Sequence, residues 1–164
     1  MEDTDQAGAF TKPLGFWKEY AVHNEREIKG FFGDYRFLSN FCVCDVEFEG
    51  RLYRSSEAAF QAAKTLDWNQ RKAFETMTPG EAKKAGRKLL LRNDWESRKV
   101  EIMTIIVVDK FYRNLDLRKR LVDTDPAYLE ETNHWNDRFW GVDYIEGGDN
   151  HLGKILEKVR NLWV

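Results

Sequence analysis

The sequence predicts an α+β fold, a single compact and mostly helical domain with a small N-terminal β-hairpin or sheet. Three observations predict it. Residues 27–54 read as strands punctuated by turn signals at Gly33-Asp34 and Glu49-Gly50. From residue 56 onward, apolar residues recur at helical spacing behind recognisable start signals. The length, 164 residues, suits one domain able to bury about 70% of its unfolded surface without disulfides.

The elements follow in order. Residues 1–26 are expected to form a partly flexible N-terminal extension, with a loose tail ending at Pro13. Phe16, Trp17 and Tyr20 at near-helical spacing place a helical segment in 14–26. The domain proper spans 27–164, opening with a strand at Glu27–Phe32. Val43, Val46 and Phe48 lead into the Glu49-Gly50 hairpin turn, and Leu52 and Tyr53 return along the second arm. Ser55 or Ser56 can cap a helix over 56–65. Thr78-Pro79-Gly80-Glu81 combines an N-cap, a first-turn proline and a capping-box glutamate, starting a helix that runs to about Leu91. Asn93-Asp94-Trp95-Glu96 reads as a second capping box, followed by a core stripe of Val100, Met103, Val107 and Phe111. A shorter helix covers 115–122, residues 127–146 are extended or irregular, and Asn150 can cap a last helix with the stripe Leu152, Ile155, Leu156, Val159 and Trp163.

Bulk properties narrow the function classes. A hydrophobic content of 42% excludes a disordered chain, and a net charge of −2 gives no whole-chain attraction to nucleic acid or membrane. Charge is uneven, however: residues 64–99 hold ten Lys/Arg and five Asp/Glu. Most of these are read as solvated helix faces, with one or two available to a phosphate. Cys42 and Cys44 are too few for a zinc site and are read as reduced core thiols. The acidic N-terminus lacks an apolar leader and no apolar run reaches membrane length, so a cytoplasmic location is expected.

Glu57, Gln61 and Lys64 stand at i, i+4 and i+7, and therefore on one face of their helix. Nearly everything else on it is alanine or phenylalanine, which marks a buried helix. A carboxylate and an amine carried into such a place are costly unless paired or used. A salt bridge to another element explains the stripe about as well as an active site does. Three further constellations stand beside it. Arg92 ends one helix and Trp95 opens the next, where a tryptophan is by default core but can stack on a base. Asn133–Gly141 holds Asp137 and Trp140 in a polar, aromatic loop, with an Asx turn as the plain alternative. Gly147–Lys154 can cradle a phosphate at a helix start, although capping by Asn150 explains much of it. The three histidines are scattered and no nucleotide or metalloprotease motif is present, so no metal and no cofactor is expected. Two carboxylates, an amine and several tryptophans suit cleavage of a sugar–base bond. One carboxylate stabilises the oxocarbenium-like transition state or activates water, and an acid protonates the leaving base. A buried lysine could instead attack C1 and form an imine.

With these pieces in order, the chain resembles the NADAR domain family, the YbiA-like N-glycosidases. The resemblance is carried by Phe37-Leu38-Ser39-Asn40-Phe41, Gly50 with Tyr53, Ser56-Glu57 through Gln61 and Lys64, and Ala85-Gly86-Arg87. It continues in Arg92 with Asp94-Trp95, Met103 with Lys110-Phe111, Leu121 with Thr124, and Leu129-Glu130-Glu131. It ends in Asp137 with Trp140-Gly141, and Asn150 through Lys154 with Arg160. The resemblance implies hydrolysis of N-glycosidic bonds in one of two substrate classes. These are ADP-ribose on guanine, in nucleic acid or nucleosides, and phosphoribosylamino-pyrimidine intermediates of riboflavin synthesis. The positions matching the family's proposed active site are Glu57, Trp95 and Asp137, with Lys64 a fourth; Glu57, Lys64 and Asp137 are the expected catalytic residues, Lys64 pairing with Glu57 in the resting enzyme. Asn40, Gln61, Arg87, Arg92, Trp95, Trp140 and Asn150 are the expected substrate contacts, Arg87 or Arg92 holding phosphate. Ala58 departs from the family, whose members often carry a histidine after the glutamate. A module that binds ADP-ribose without cleaving it is the rival of another class. A single-stranded nucleic-acid binder is disfavoured by the net charge.

Overall fold

The computed structural model describes residues 20–164. Most of the expected 14–26 helix, with Phe16 and Trp17, and all of the expected tail lie outside the described residues. In chain order the elements are β1 (Val22–His23), β2 (Glu27–Lys29), a 3₁₀ turn (Gly33–Leu38), β3 (Val43–Phe48) and β4 (Arg51–Ser55). Helices α1 (Ser56–Ala62), α2 (Trp68–Ala73), α3 (Pro79–Gly86), α4 (Trp95–Arg113) and α5 (Leu115–Val122) follow. Short strands β5 (Tyr128–Glu130), β6 (Thr132–Asn133) and β7 (Val142–Asp143) precede α6 (His151–Arg160). This is an α+β fold, mostly helical with small sheets. Among the described residues no helix is long and apolar enough to cross a membrane.

Contacts divide the chain into two units. The first comprises Asn40–Leu115. Its hairpin pairs β3 with β4 in antiparallel register, with a bulge between Val43 and Val46. The turn is Glu49-Gly50, at φ +46° and +81°, the left-handed pair that a two-residue hairpin requires. Ser55 ends the hairpin and starts α1, its hydroxyl accepting the Ala58 N–H at 3.0 Å. All seven residues of α1 are buried, as an almost wholly apolar helix should be. Around it lie Val46, Phe48 and Tyr53 of the hairpin and Ile102, Met103, Ile106, Val107 and Phe111 of α4. Arg71, only 2% exposed, fixes the loop after α1: Nε donates to the Thr65 carbonyl at 2.7 Å, and Nη1 meets Glu49 at 2.5 Å.

Three expectations need correction in this unit. Val100 is not in the core stripe and is 36% exposed, while Met103, Val107 and Phe111 are buried. The helix opened by Thr78 stops at Gly86 rather than Leu91. The chain turns there so that the Arg92 N–H reaches the Lys64 carbonyl at 2.8 Å, and Leu90 is left outside. Asp94 stands at the N-cap of α4 but makes no cap bond, because its carboxylate binds Arg92.

The second unit contains the described residues up to Ser39 and Asp116–Val164. Its sheet has the order β1-β2-β5, with β2 antiparallel to β1 and parallel to β5. The expected strand over 27–32 ends at Lys29, because Gly30 turns the chain at φ +87° and a 3₁₀ helix replaces the simple turn at Gly33-Asp34. Residues 127–146 hold the three short strands β5, β6 and β7, with β6 parallel to β7. Helix α6 buries Leu152, Ile155, Leu156 and Val159. Gly153 lets it approach β5 closely: an added Cβ would stand 2.1 Å from the Leu129 carbonyl.

The capping box at Thr78 and Glu81 forms as read, with both reciprocal bonds present, and it starts the helix that carries Lys83, Gly86 and Arg87. Thr78→Ala is expected to lower stability by about 1 kcal/mol. A urea midpoint unchanged within error would show that the cap is energetically idle.

Candidate active site

The local sequence explains why a charge ends up inside. Alanines on α1 leave room for α3 and α4 to pack closely, and Glu57 and Gln61 are carried in with the helix, at 8% and 6% exposure. Four residues apart, they meet directly: Gln61 Nε2 donates to Glu57 Oε1 at 2.8 Å. The backbone N–H of Glu57 donates to the Asn40 carbonyl at 3.0 Å. Asn40 Nδ2 reaches Met103 Sδ at 3.5 Å, and its buried Oδ1 has no hydrogen-bond partner.

Lys64 follows α1 and is half-buried. Its ammonium lies 5.9 Å from the ring centroids of both Phe60 and Trp95. Those rings pack at 5.0 Å with a 52° tilt. The expected resting pair of Lys64 with Glu57 is corrected: among the described residues Lys64 makes no ion pair, and the Glu57 carboxylate bonds to Gln61 instead. Burial holds the Lys64 amine below the usual lysine range. Glu57 pulls the other way, while Arg87 and Lys83 add to the depression. Glu57, Lys83 and Arg87 therefore all lie within electrostatic reach of the Lys64 amine. Lys83 lies over the Phe41 ring at 5.6 Å. Sequence reading missed Lys83; its place one helical turn before Arg87 was the available signal.

The remaining expected residues have other surroundings. Trp95 is buried at 5% exposure with its ring against Phe60. Arg92 is bidentate to Asp94, Nε to Oδ1 at 2.6 Å and Nη2 to Oδ2 at 3.0 Å, so its guanidinium is largely occupied. In the other unit, Asp137 Oδ1 accepts the N–H groups of Phe139 and Trp140 at 3.3 and 3.0 Å, the Asx-turn pattern. Buried Asn133 brackets it, accepting the Asp137 N–H at 3.0 Å and donating to its carbonyl at 2.8 Å. Trp140 packs edge-on against Phe139 at 4.8 Å. Asn150, expected as a helix cap, makes no cap bond. Its amide instead holds backbone, donating to the Leu129 carbonyl at 2.9 Å and accepting the Glu131 N–H at 3.1 Å.

Removing the Glu57 charge removes the influence that, among the described residues, favours the Lys64 ammonium. In Glu57→Gln, Lys64 is expected to lose its proton at lower pH than in the unaltered protein. Side-chain NMR titration of lysine Nζ measures this directly, and an unmoved Lys64 would show that the two groups do not interact.

The chain is 35% identical over 130 residues to the N-glycosidase YbiA of Escherichia coli K12, covering 77% of this chain and 81% of that protein. It is 37% identical over 131 residues to a riboflavin biosynthesis protein of Vibrio vulnificus, covering 76% of this chain. This chain spans only 34% of that longer relative. The NMR structure of Escherichia coli YbiA superimposes with a TM-score of 0.76 at 31% identity, over 92% of each chain. The NADAR domain profile matches residues 16–163, and the chain belongs to the NADAR domain family.

Proposed function

We infer that this chain is an N-glycosidase, a hydrolase of N-glycosyl bonds, and that Glu57 is its central catalytic group. The observation that carries the reading is a carboxylate buried at 8% exposure, bonded to a neutral amide and within electrostatic reach of Lys64, which Lys83 and Arg87 also reach. A carboxylate so placed is available to a developing ribosyl cation and to water, while the cations suit a phosphorylated sugar. Relatives named N-glycosidases support the bond class.

In the proposed reaction the C1–N bond breaks and its electron pair leaves with the base. Glu57 stabilises the cation at C1, and water adds there as Glu57 takes its proton. Lys64, as ammonium, gives a proton to the departing nitrogen and recovers one from Glu57 afterwards. Trp95 packs against base or sugar, Asn40 offers its amide to substrate, and Arg87 with Lys83 holds phosphate. A neutral Lys64 amine could also attack C1 directly, giving an imine that water hydrolyses.

We favour ADP-ribose on guanine as substrate, because a diphosphate makes the fullest use of Lys64, Lys83 and Arg87. The name of the Vibrio vulnificus relative favours the second reading, a phosphoribosylamino-pyrimidine of riboflavin synthesis.

Mass spectrometry of products from the two substrates, supplied separately, tests the choice. ADP-ribose from the guanine adduct alone is the expected result; ribose 5-phosphate from the pyrimidine alone would reverse the assignment. Glu57→Gln is expected to lower kcat by about 100-fold or more. Full turnover in a folded Glu57→Gln protein would remove Glu57 from the mechanism. Borohydride during turnover separates the two roles of Lys64, since only an imine is reduced to a stable adduct whose mass reports the site.

A further inference from the structure

Gly86 is buried on α3. A Cβ placed on it would stand 1.9 Å from Gln61 Oε1 and 2.7 Å from Gln61 Cδ. These two are at the far end of a flexible side chain, while Gln61 Cβ, at 3.1 Å, would have to give only a few tenths of an ångström, so alanine here would chiefly displace the amide. Gly86 is not among the glycines at positive φ, so its conformation does not demand glycine. Glycine is also a poor helix former. What the missing side chain provides is space, and Gln61 fills it.

Gln61 uses that space with a definite polarity. Nε2 donates to Glu57 Oε1, and the buried Oε1 of the amide accepts no hydrogen bond. Leaving a buried carbonyl oxygen without a partner is costly, and here the opposite end of the same amide meets a carboxylate. The assignment of oxygen and nitrogen follows the network: turned over, the amide would set its oxygen against a carboxylate oxygen. A donor to the carboxylate favours its charged form and fixes its plane.

We propose that Gly86 and Gln61 form a positioning relay, in which the bare Cα of Gly86 seats the Gln61 amide and the amide orients the Glu57 carboxylate for reaction. Gln61 and Gly86 are positioning residues in this scheme. The proposal rests on the N-glycosidase reading only in taking Glu57 as the reacting group.

The test has a substrate-free arm and a kinetic arm. Carbon-13 NMR titration of the Glu57 carboxyl is made in Gly86→Ala, Gln61→Ala and the double variant. Lys64, Lys83 and Arg87 are unchanged in all three, so a shift reports the amide. Both single variants are expected to raise the Glu57 midpoint, because a donor to the ionised form is lost or displaced. In the Gln61→Ala background there is no amide to displace, and Gly86→Ala is expected to add nothing. In turnover, each single variant should lower kcat roughly 10- to 100-fold with KM changed little, and the double variant should match Gln61→Ala. Equal effects of Gly86→Ala in both backgrounds, or an unmoved Glu57 midpoint in the folded single variants, would overturn the relay. A protein inactive on every N-glycoside tried, in which the Glu57 midpoint still moves as described, would sink the N-glycosidase reading and leave the relay standing.

Discussion

The unit from Asn40 to Leu115 depends on keeping an ionisable carboxylate inside a helix that is otherwise alanine, serine and phenylalanine. Desolvating such a group costs several kcal/mol unless hydrogen bonds compensate. The compensation is local: Gln61, one turn on, donates to the carboxylate, and the helix around it is made of small residues that let neighbours close over both. The constraint spreads outward from there. Gly86 must lack a side chain, Ser55 must start the helix at one residue, and Arg71 must fix the loop that delivers Lys64.

Electrostatics around the carboxylate follow from distance. Lys64 is close enough for Glu57 to oppose the depression of its pKa, yet far enough that no ion pair forms. Its ammonium faces the Phe60 and Trp95 rings instead. A contact at 5.9 Å is at the edge of useful cation–π attraction and compensates little of the lost hydration. Burial therefore dominates, and the amine is held below the ordinary lysine range with two more cations adding to the effect. An anionic ligand placed among Lys64, Lys83 and Arg87 would relieve repulsion that the folded chain carries without it.

Much of this was legible in the sequence, for reasons that differ by residue. The i, i+4 spacing of Glu57 and Gln61 fixes them on one face of a helix, and their contact is a local consequence. The Glu49-Gly50 turn, the Thr78 box and the 115–122 helix rest on neighbouring residues alone and stand as read. The misreadings involve competition between partners. Asn93-Asp94-Trp95-Glu96 reads as a capping box, but the helix starts one residue later, with Asp94 at the N-cap and its carboxylate taken by the Arg92 guanidinium, a stronger partner than a backbone N–H. Asn150 was read as a cap, but backbone groups of Leu129 and Glu131, distant in sequence, claim its amide. The expected pairing of Lys64 with Glu57 does not form among the described residues, and which of two side chains on a shared face reaches a carboxylate depends on packing that the sequence does not display.

The choice of amide over amine as the partner of Glu57 bears on chemistry. A hydrogen-bonded Lys64–Glu57 pair would neutralise both groups, and a reacting cation at C1 would then have to compete with an ammonium already in place. Gln61 gives the carboxylate a neutral donor. Lys64, which makes no ion pair among the described residues and is partly desolvated, holds a proton that is easier to give away than that of a solvated lysine. In the proposed reaction the two groups take different tasks, Glu57 as the base and Lys64 as an acid weakened by burial. Pairs of titratable groups separated in this way are what acid–base chemistry at neutral pH requires. The small residues of α1 and the bare Cα of Gly86 are the structural conditions under which that separation can exist in so little space.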